Sequence, residues 1–285
     1  MAEARDPRHP GLEAALARYL DGQPVHAFES IGSTMEVAHA LAGDGAPHGS
    51  LVWAQRQEQG RGRLGRTWES PKGGLYLSLM LRPNRPPAEI PQLSLVAGLA
   101  VAEATQELTG LFPSIRWPND LFIGEQKVGG ILLEAKVSDT FPASTSVSHR
   151  DRLETRLTPY VVIGIGINVT TDPRKLPETA TSLAAHLRDR STRRIHHSTF
   201  AYRFTGELCR QFHRWYEVWS AEGFSPIREA LRPWIDLFGR PIHITAGRSR
   251  FEGTASDLDE DGRLLVRLDS GVVRQFEMGE VTLLR

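Results

Sequence analysis

A run of glycines and arginines is the part of this sequence best suited to chemistry. Seven residues from Gly60 to Arg66 contain three glycines and three arginines, and Trp68 follows closely. Glycine lets backbone N–H groups approach an anion, and guanidinium groups bind phosphate or carboxylate oxygens in pairs. The run therefore predicts a phosphate-binding loop that closes over its ligand, with Gly62 and Gly65 as hinges.

The spacing Gly60-x-Gly62-x-x-Gly65 also fits the dinucleotide fingerprint of Rossmann folds. That fingerprint requires a helix to begin at the third glycine and an acidic residue about twenty positions later. Here residues 67–74 contain Pro71 and two glycines and lead into a new strand. The context argues against a Rossmann site. A solvated basic loop is the plainer alternative, but a lid over a polyanion fits better.

Two further stretches place polar side chains where the backbone is interrupted. Pro118 breaks the strand predicted over 114–123, which suits a sheet edge or a bulge, and Asn119 and Asp120 follow it. An ordinary turn is the alternative. Lys127 precedes Gly129 and Gly130, a pair that permits close backbone approach. We therefore expect a charged ligand group near Lys127.

Two other patterns predict a binding surface. In the strand 160–169, Gly164, Gly166 and Asn168 share one face, which predicts a smooth floor for a flat ligand with a polar end. Ser33 and Glu36 have capping-box spacing and predict a helix from Ser33 to about Leu41. Ligand contact by Ser33 is compatible with this role, because a helix N-terminus is itself a polar-ligand site.

The remaining periodicities supply the elements that must position these groups. Helices are predicted over 11–20, 91–108, 198–221 and 226–237, with 177–183 capping another short helix. Strands are predicted over 25–29, 50–56, 75–81 and 127–135, and 137–159 is expected to be a mobile loop between two paired strands. After a boundary near Gly239, five short strands (241–245, 250–256, 263–268, 272–276 and 281–284) predict a small β-barrel.

Composition limits the function classes. The 285 residues carry 34 basic and 34 acidic side chains, so the chain lacks the basic surface of a general nucleic-acid binder. Cys209 is the single cysteine, which excludes internal disulfides, and no Cys/His spacing suggests zinc. With no signal core and no apolar run of eighteen residues, a cytoplasmic protein without a membrane partner is expected.

The ordered motifs resemble those of biotin protein ligases, in a short form without an N-terminal DNA-binding domain. These motifs are Ser33-Thr34, the Gly60–Trp68 run, Gly73–Ser78, Arg116–Asp120, Lys127–Leu132, Gly164–Asn168 and Ala180–Leu183. The resemblance implies an α+β fold: a mixed, mostly antiparallel sheet packed with helices over residues 1–238, as in class II synthetase-like ligases. A looser match over 239–285 implies an SH3-like β domain.

The resemblance also implies an ATP-dependent activity. Biotin would be activated to biotinyl-5'-AMP and transferred to a lysine of a biotin carboxyl carrier domain, with Mg²⁺ accompanying ATP. DNA binding is not expected, because about 24 residues before Val25 cannot form a helix-turn-helix domain. Oligomeric state, including a homodimer formed through a sheet edge, stays open.

Site roles follow from the same resemblance. Biotin would be held by Ser33, Thr34, Gln57, Gly60, Arg61 and Gly130. ATP or the adenylate would be held by Arg61, Arg63, Trp68, Asn119, Lys127 and Asn168. Lys127, Arg61 and Asp120 would be catalytic, with Asp120 orienting the acceptor lysine or accepting its proton. No protein metal ligand is predicted.

Two alternatives remain. A ligase for lipoate or octanoate would share the fold class, but those relatives carry a different glycine-rich motif with a His-Asp pair, which is absent here. A non-catalytic biotin or adenylate sensor would need neither Lys127 nor Asp120.

Overall fold

The computed structural model describes residues 10–18, 20, 22–138, 158–187 and 197–284. The helices are α1 (Pro10–Ala17), α2 (Thr34–Gly43), α3 (Gln92–Thr109), α4 (Leu183–Leu187), α5 (His197–Glu222) and α6 (Ser225–Leu231). The strands are β1 (Val25–Phe28), β2 (Leu51–Ala54), β3 (Gly74–Leu81), β4 (Ser114–Arg116), β5 (Asp120–Ile123), β6 (Gln126–Ser138), β7 (Thr158–Asn168), β8 (Pro241–Ala246), β9 (Ser249–Leu258), β10 (Leu264–Leu268), β11 (Val273–Phe276) and β12 (Glu280–Leu283).

The first seven strands form one mixed sheet in the order β1-β2-β3-β7-β6-β5-β4. Only the β1–β2 pair is parallel, and every other neighbouring pair is antiparallel. The predicted mixed, mostly antiparallel sheet is therefore confirmed. Helices α3 and α5 pack together over one face, and α2 packs against β2, β3 and β7 over the other.

All eight residues of the strand β3 are buried. Leu75, Leu77 and Leu79 join the cluster below α3 and α5, while Met80 joins the cluster below α2. The sheet centre is thus covered on both faces.

The stretch predicted as one interrupted strand is a hairpin. β4 and β5 pair antiparallel, and Trp117 and Pro118, joined by a cis peptide bond, lie in the turn between them. β4 is an edge strand, as the proline requires. The last predicted helix is also shorter than expected: α6 ends at Leu231, because Pro233 lacks an N–H and clashes with the preceding turn.

The expected loop 137–159 is shorter than predicted. β6 continues to Ser138 and β7 begins at Thr158, with Val137 paired to Pro159. Both ends of the predicted loop therefore belong to paired strands, and residues 139–157 lie outside the described residues.

The last five strands form a separate antiparallel sheet in the order β11-β10-β9-β8-β12. It is joined to the larger sheet by a buried hydrogen bond of 3.0 Å from Trp117 Nε1 to the Gly262 carbonyl. Ile242 and Leu264 of this sheet belong to the same hydrophobic cluster as α3 and α5. The C-terminal strands are therefore packed where they can contribute to the site.

Candidate functional site

A cavity of about 530 Å³ opens between the glycine-arginine loop, the edge of the large sheet and the C-terminal strands. Nine of the predicted site residues line it: Thr34, Gln57, Arg61, Arg63, Trp68, Asn119, Asp120, Lys127 and Gly130. Residues far apart in sequence are thus brought around one volume large enough for a small-molecule substrate.

The loop from Gly60 to Trp68 is folded as a narrow hairpin. The N–H of Gly62 donates to Arg66 O at 2.7 Å, and the N–H of Trp68 donates to Gly60 O at 2.9 Å. Leu64 and Gly65 at its tip are left-handed, with φ of 56° and 74°, and Leu64 is 77% exposed. The strand β3, not a helix, follows the loop, so the Rossmann alternative is excluded.

One end of the cavity is polar and held by a chain of hydrogen bonds. Gln57 Oε1 accepts from the N–H of Thr34 at 2.8 Å and from its hydroxyl at 3.0 Å. Gln57 Nε2 donates to Ser70 Oγ at 2.9 Å, and Ser78 Oγ donates to Thr34 Oγ1 at the same distance. Met35 and Leu132 lie beside these groups on the cavity wall. This end suits a ring with polar edges and an apolar body.

The predicted capping box is wrong. Ser33 has extended N-cap geometry, but its side chain makes no capping hydrogen bond. Its hydroxyl is buried without a partner in the described chain, and Ser33 does not line the cavity. At the same helix start, Gln57 Oε1 accepts from the first N–H of α2, that of Thr34, from outside the helix.

Lys127 and Asp120 form an ion pair on the wall of the cavity. Their Nζ and Oδ1 atoms are 2.7 Å apart, and each side chain is 29% exposed. The backbone of Lys127 is fixed on both sides, because its N–H donates to Thr179 O and its carbonyl accepts from Thr181 N, each at 2.8 Å. A shift of register between Leu121 and Phe122 lies beside this pair. The ammonium is thus held in place on the cavity wall.

The glycine floor exists, and protein side chains lie on it. A Cβ at Gly166 would come within 2.5 Å of Trp68 Nε1, and a Cβ at Gly130 within 3.3 Å of Trp68 Cζ3. A Cβ at Gly164 would come within 2.6 Å of Met35 Sδ. Trp68 is also stacked beside Lys127, whose Nζ lies 5.4 Å from the ring centroid. The bare glycines let the indole lie flat against the sheet.

The loop is tied to the β4–β5 hairpin and to the C-terminal sheet. Arg63 Nη1 donates to Asn119 Oδ1 at 2.7 Å and, at 3.4 Å, to Gly279 O. Arg66 Nη2 lies 2.6 Å from Glu280 Oε1. Sequence reasoning missed this contribution of residues 279–282, although the Gly279-Glu280-Val281 motif was the signal available for it. Met35 and Arg116 on the cavity wall were missed as well.

Gly60 and Asn168 do not line the cavity. Gly60 is required for close packing, since a Cβ there would collide with Trp68 O and Ser70 Oγ. Asn168 is 2% exposed, and its Nδ2 donates to Thr181 O at 3.0 Å. Asn168 therefore holds the segment that fixes Lys127 rather than facing the cavity.

Within the ranges that the structure covers, no cluster of three His, Cys, Asp or Glu side chains could hold a metal ion. None of the helices in those ranges is long and apolar enough to cross a membrane.

The fold and the cavity together define a biotin/lipoate-type ligase. Residues 27–145 match the Biotin/lipoate A/B protein ligase family, and residues 237–284 match the Biotin protein ligase C terminal domain. The chain belongs to the biotin protein ligase family.

Relatives agree with this assignment. The bifunctional ligase/repressor BirA of Bacillus subtilis is 32% identical over 90% of this chain and 73% of its own length. The biotin–[acetyl-CoA-carboxylase] ligase of Paracoccus denitrificans is 31% identical over 83% of this chain and 90% of its own. The structure of the Aquifex aeolicus biotin protein ligase in complex with biotin and ATP is 27% identical, with a TM-score of 0.72, over 92% of this chain and 99% of that one.

Proposed function

We propose that this chain activates biotin with ATP to biotinyl-5'-AMP and then transfers biotin to a lysine of a biotin carboxyl carrier domain. The observation that carries this proposal is a single cavity in which a polar end at Thr34 and Gln57 adjoins Lys127 and the arginine loop. Related structures support it, since the Aquifex aeolicus ligase is in complex with biotin and ATP and the Leishmania major ligase with biotinyl-5-AMP.

The first step joins two anions, because the biotin carboxylate must attack the α-phosphorus and expel pyrophosphate. Lys127, Arg61 and Arg63 line the cavity and would offset this repulsion by preorganised positive charge, which is usually the largest catalytic term. The ion pair with Asp120 holds Lys127 in place before substrate arrives. We infer that the carboxylate and the α-phosphate compete with Asp120 for this ammonium.

We propose that Mg²⁺ enters bound to ATP. The described residues offer no cluster of three metal ligands, which suits an ion held largely by phosphate oxygens, since Mg²⁺ keeps few protein ligands in nucleotide sites. Bound there, the ion would neutralise charge on the phosphates.

The second step requires the acceptor lysine to lose a proton as it attacks the acyl carbonyl. Asp120 is a carboxylate on the cavity wall beside Lys127 and would orient the incoming ammonium or accept its proton. The adenylate is prone to hydrolysis, so Trp68 and the loop would exclude water until the carrier binds.

Further roles and properties are also proposed. Thr34, Gln57 and Gly130 would hold biotin, and Asn119 would act on the nucleotide side through Arg63. The chain would divide into a catalytic domain (1–238) and a C-terminal domain (239–285). It would act in the cytoplasm without DNA.

The test is pyrophosphate exchange into ATP with Mg²⁺, comparing biotin, lipoate and no acid. Exchange with biotin alone is expected, whereas exchange with lipoate would indicate the alternative, a lipoate ligase. Lys127→Ala should abolish exchange, and Lys175→Ala, an exposed lysine outside this cavity, is the matched control. A fully active Lys127→Ala protein would contradict the mechanism, and the absence of exchange by the parent with either acid would favour a sensor.

A further inference from the structure

We propose that Glu134 is a positioning residue that holds Arg61, and through it the loop Gly60–Trp68, closed over the acyl adenylate. The inference rests on the proposed function and adds to it a residue outside every recognised motif. Glu134 lies on β6, four residues beyond Gly130, which lines the cavity.

One carboxylate oxygen of Glu134 carries two contacts. Oε2 accepts from Arg61 Nη2 at 3.1 Å and lies 2.7 Å from His39 Nε2. Arg61 is 73 residues away along the chain, so this bond ties the loop directly to the sheet. Hydrogen bonds between ionised partners are about twice as strong as neutral ones. Glu134 is 30% exposed, and the bond is therefore partly shielded from water.

His39 also contacts this carboxylate oxygen and helps to hold it. It belongs to α2, is 8% exposed, and its Nδ1 lies 3.4 Å from the hydroxyl of Tyr160 on β7. A ring held between two strands cannot follow the loop when the loop opens. The carboxylate of Glu134 thus stays in position to receive Arg61 again.

The Arg61–Glu134 contact holds the loop in a different direction from the contacts made by Arg63 and Arg66. Arg63 contacts Asn119, and Arg66 contacts Glu280, so both bind the loop towards the β4–β5 hairpin and the C-terminal sheet. The Arg61–Glu134 bond reaches β6 instead, towards the side covered by α2. Arg61 lines the cavity, whereas neither Glu134 nor His39 is among the described residues on its wall. Glu134 therefore acts on the intermediate through Arg61.

The test uses Glu134→Gln, which keeps the size of the side chain and removes its charge. Glu207→Gln is the matched control, because Glu207 pairs with Arg210 at 2.5 Å on α5, outside the cavity. Each protein is loaded with labelled biotin and MgATP without carrier, and release of the labelled adenylate is followed. We expect release to be about tenfold faster in Glu134→Gln, with initial pyrophosphate exchange within about threefold of the parent. The control should match the parent in both assays.

A double-mutant cycle with Arg61→Gln separates positioning from general damage. The two substitutions should be clearly less than additive in release rate, because either one removes the same bond. Additive effects, or parental release by Glu134→Gln at unchanged thermal stability, would overturn the proposal. If Glu134→Gln does not fold, Glu134→Asp is measured, and parental release would then overturn the proposal. Absence of biotin-dependent exchange in the parent would instead refute the proposed function.

Discussion

Replacing Gly166 by alanine tests whether the indole of Trp68 must lie flat on the sheet for adenylation. The added Cβ would lie 2.5 Å from Trp68 Nε1 and 2.8 Å from its Cε2. Ordinary contacts between such atoms are about 3.5 Å, so the ring must move by roughly 1 Å. A misplacement of about 1 Å in a catalytic site costs on the order of 100-fold in rate. We therefore expect kcat/KM for biotin-dependent exchange to fall by about 100-fold, or about 2.7 kcal/mol.

The matched control is Gly98→Ala in α3. Its Cβ would meet Ile115 at 3.6 Å and Ile131 at 3.7 Å, both ordinary contacts, and Gly98 lies inside a helix and does not itself line the cavity. Alanine there should leave exchange unchanged and raise the free energy of unfolding by about 0.5–1 kcal/mol. The assay is steady-state exchange with ATP and biotin varied separately, together with thermal melts. Parental kcat/KM in Gly166→Ala, with the fold intact, would refute the role given to the indole.

Three further predictions concern single residues: Glu280, His39 and Cys209. Glu280→Gln breaks the exposed ion pair with Arg66. We expect the free energy of unfolding to change by less than about 1 kcal/mol, while KM for ATP in exchange assays rises severalfold. An unchanged KM would show that Glu280 does not contribute to ATP binding. Burial lowers the pKa of His39 below its ordinary 6.5, with the hydrogen bond to Glu134 opposing. The contribution of the neutral ring to stability is therefore complete above about pH 6.5 and decreases as the pH falls below that value. The Tm of His39→Gln should therefore fall less than the Tm of the parent between pH 7 and pH 5. Equal decreases in Tm would contradict this prediction. Burial raises the pKa of the Cys209 thiol to about 12, so a thiol reagent at pH 8 should label the protein only after denaturation; rapid labelling of the native protein would show that the thiol is accessible.

Several elements of the fold could be predicted because their causes are local. Proline at position 118 requires an edge or a turn, and β4 lies at the sheet edge with Pro118 in its turn. The regular apolar spacing along 198–221 predicted the helix that the structure places at His197–Glu222. The breakers after Arg66 correctly predicted a strand instead of a Rossmann helix. Each of these outcomes depends on backbone geometry within a few residues.

The sequence by itself indicated which residue types are suited to an anion: the loop arginines, Lys127 and the small glycines between them. The tertiary structure decided which partners those groups have. Gln57 accepts from the first N–H of α2, and Arg61 pairs with a glutamate 73 residues away. The physical reason is that such partners depend on strand order and register, so they become neighbours only when the chain folds and local spacing does not specify them.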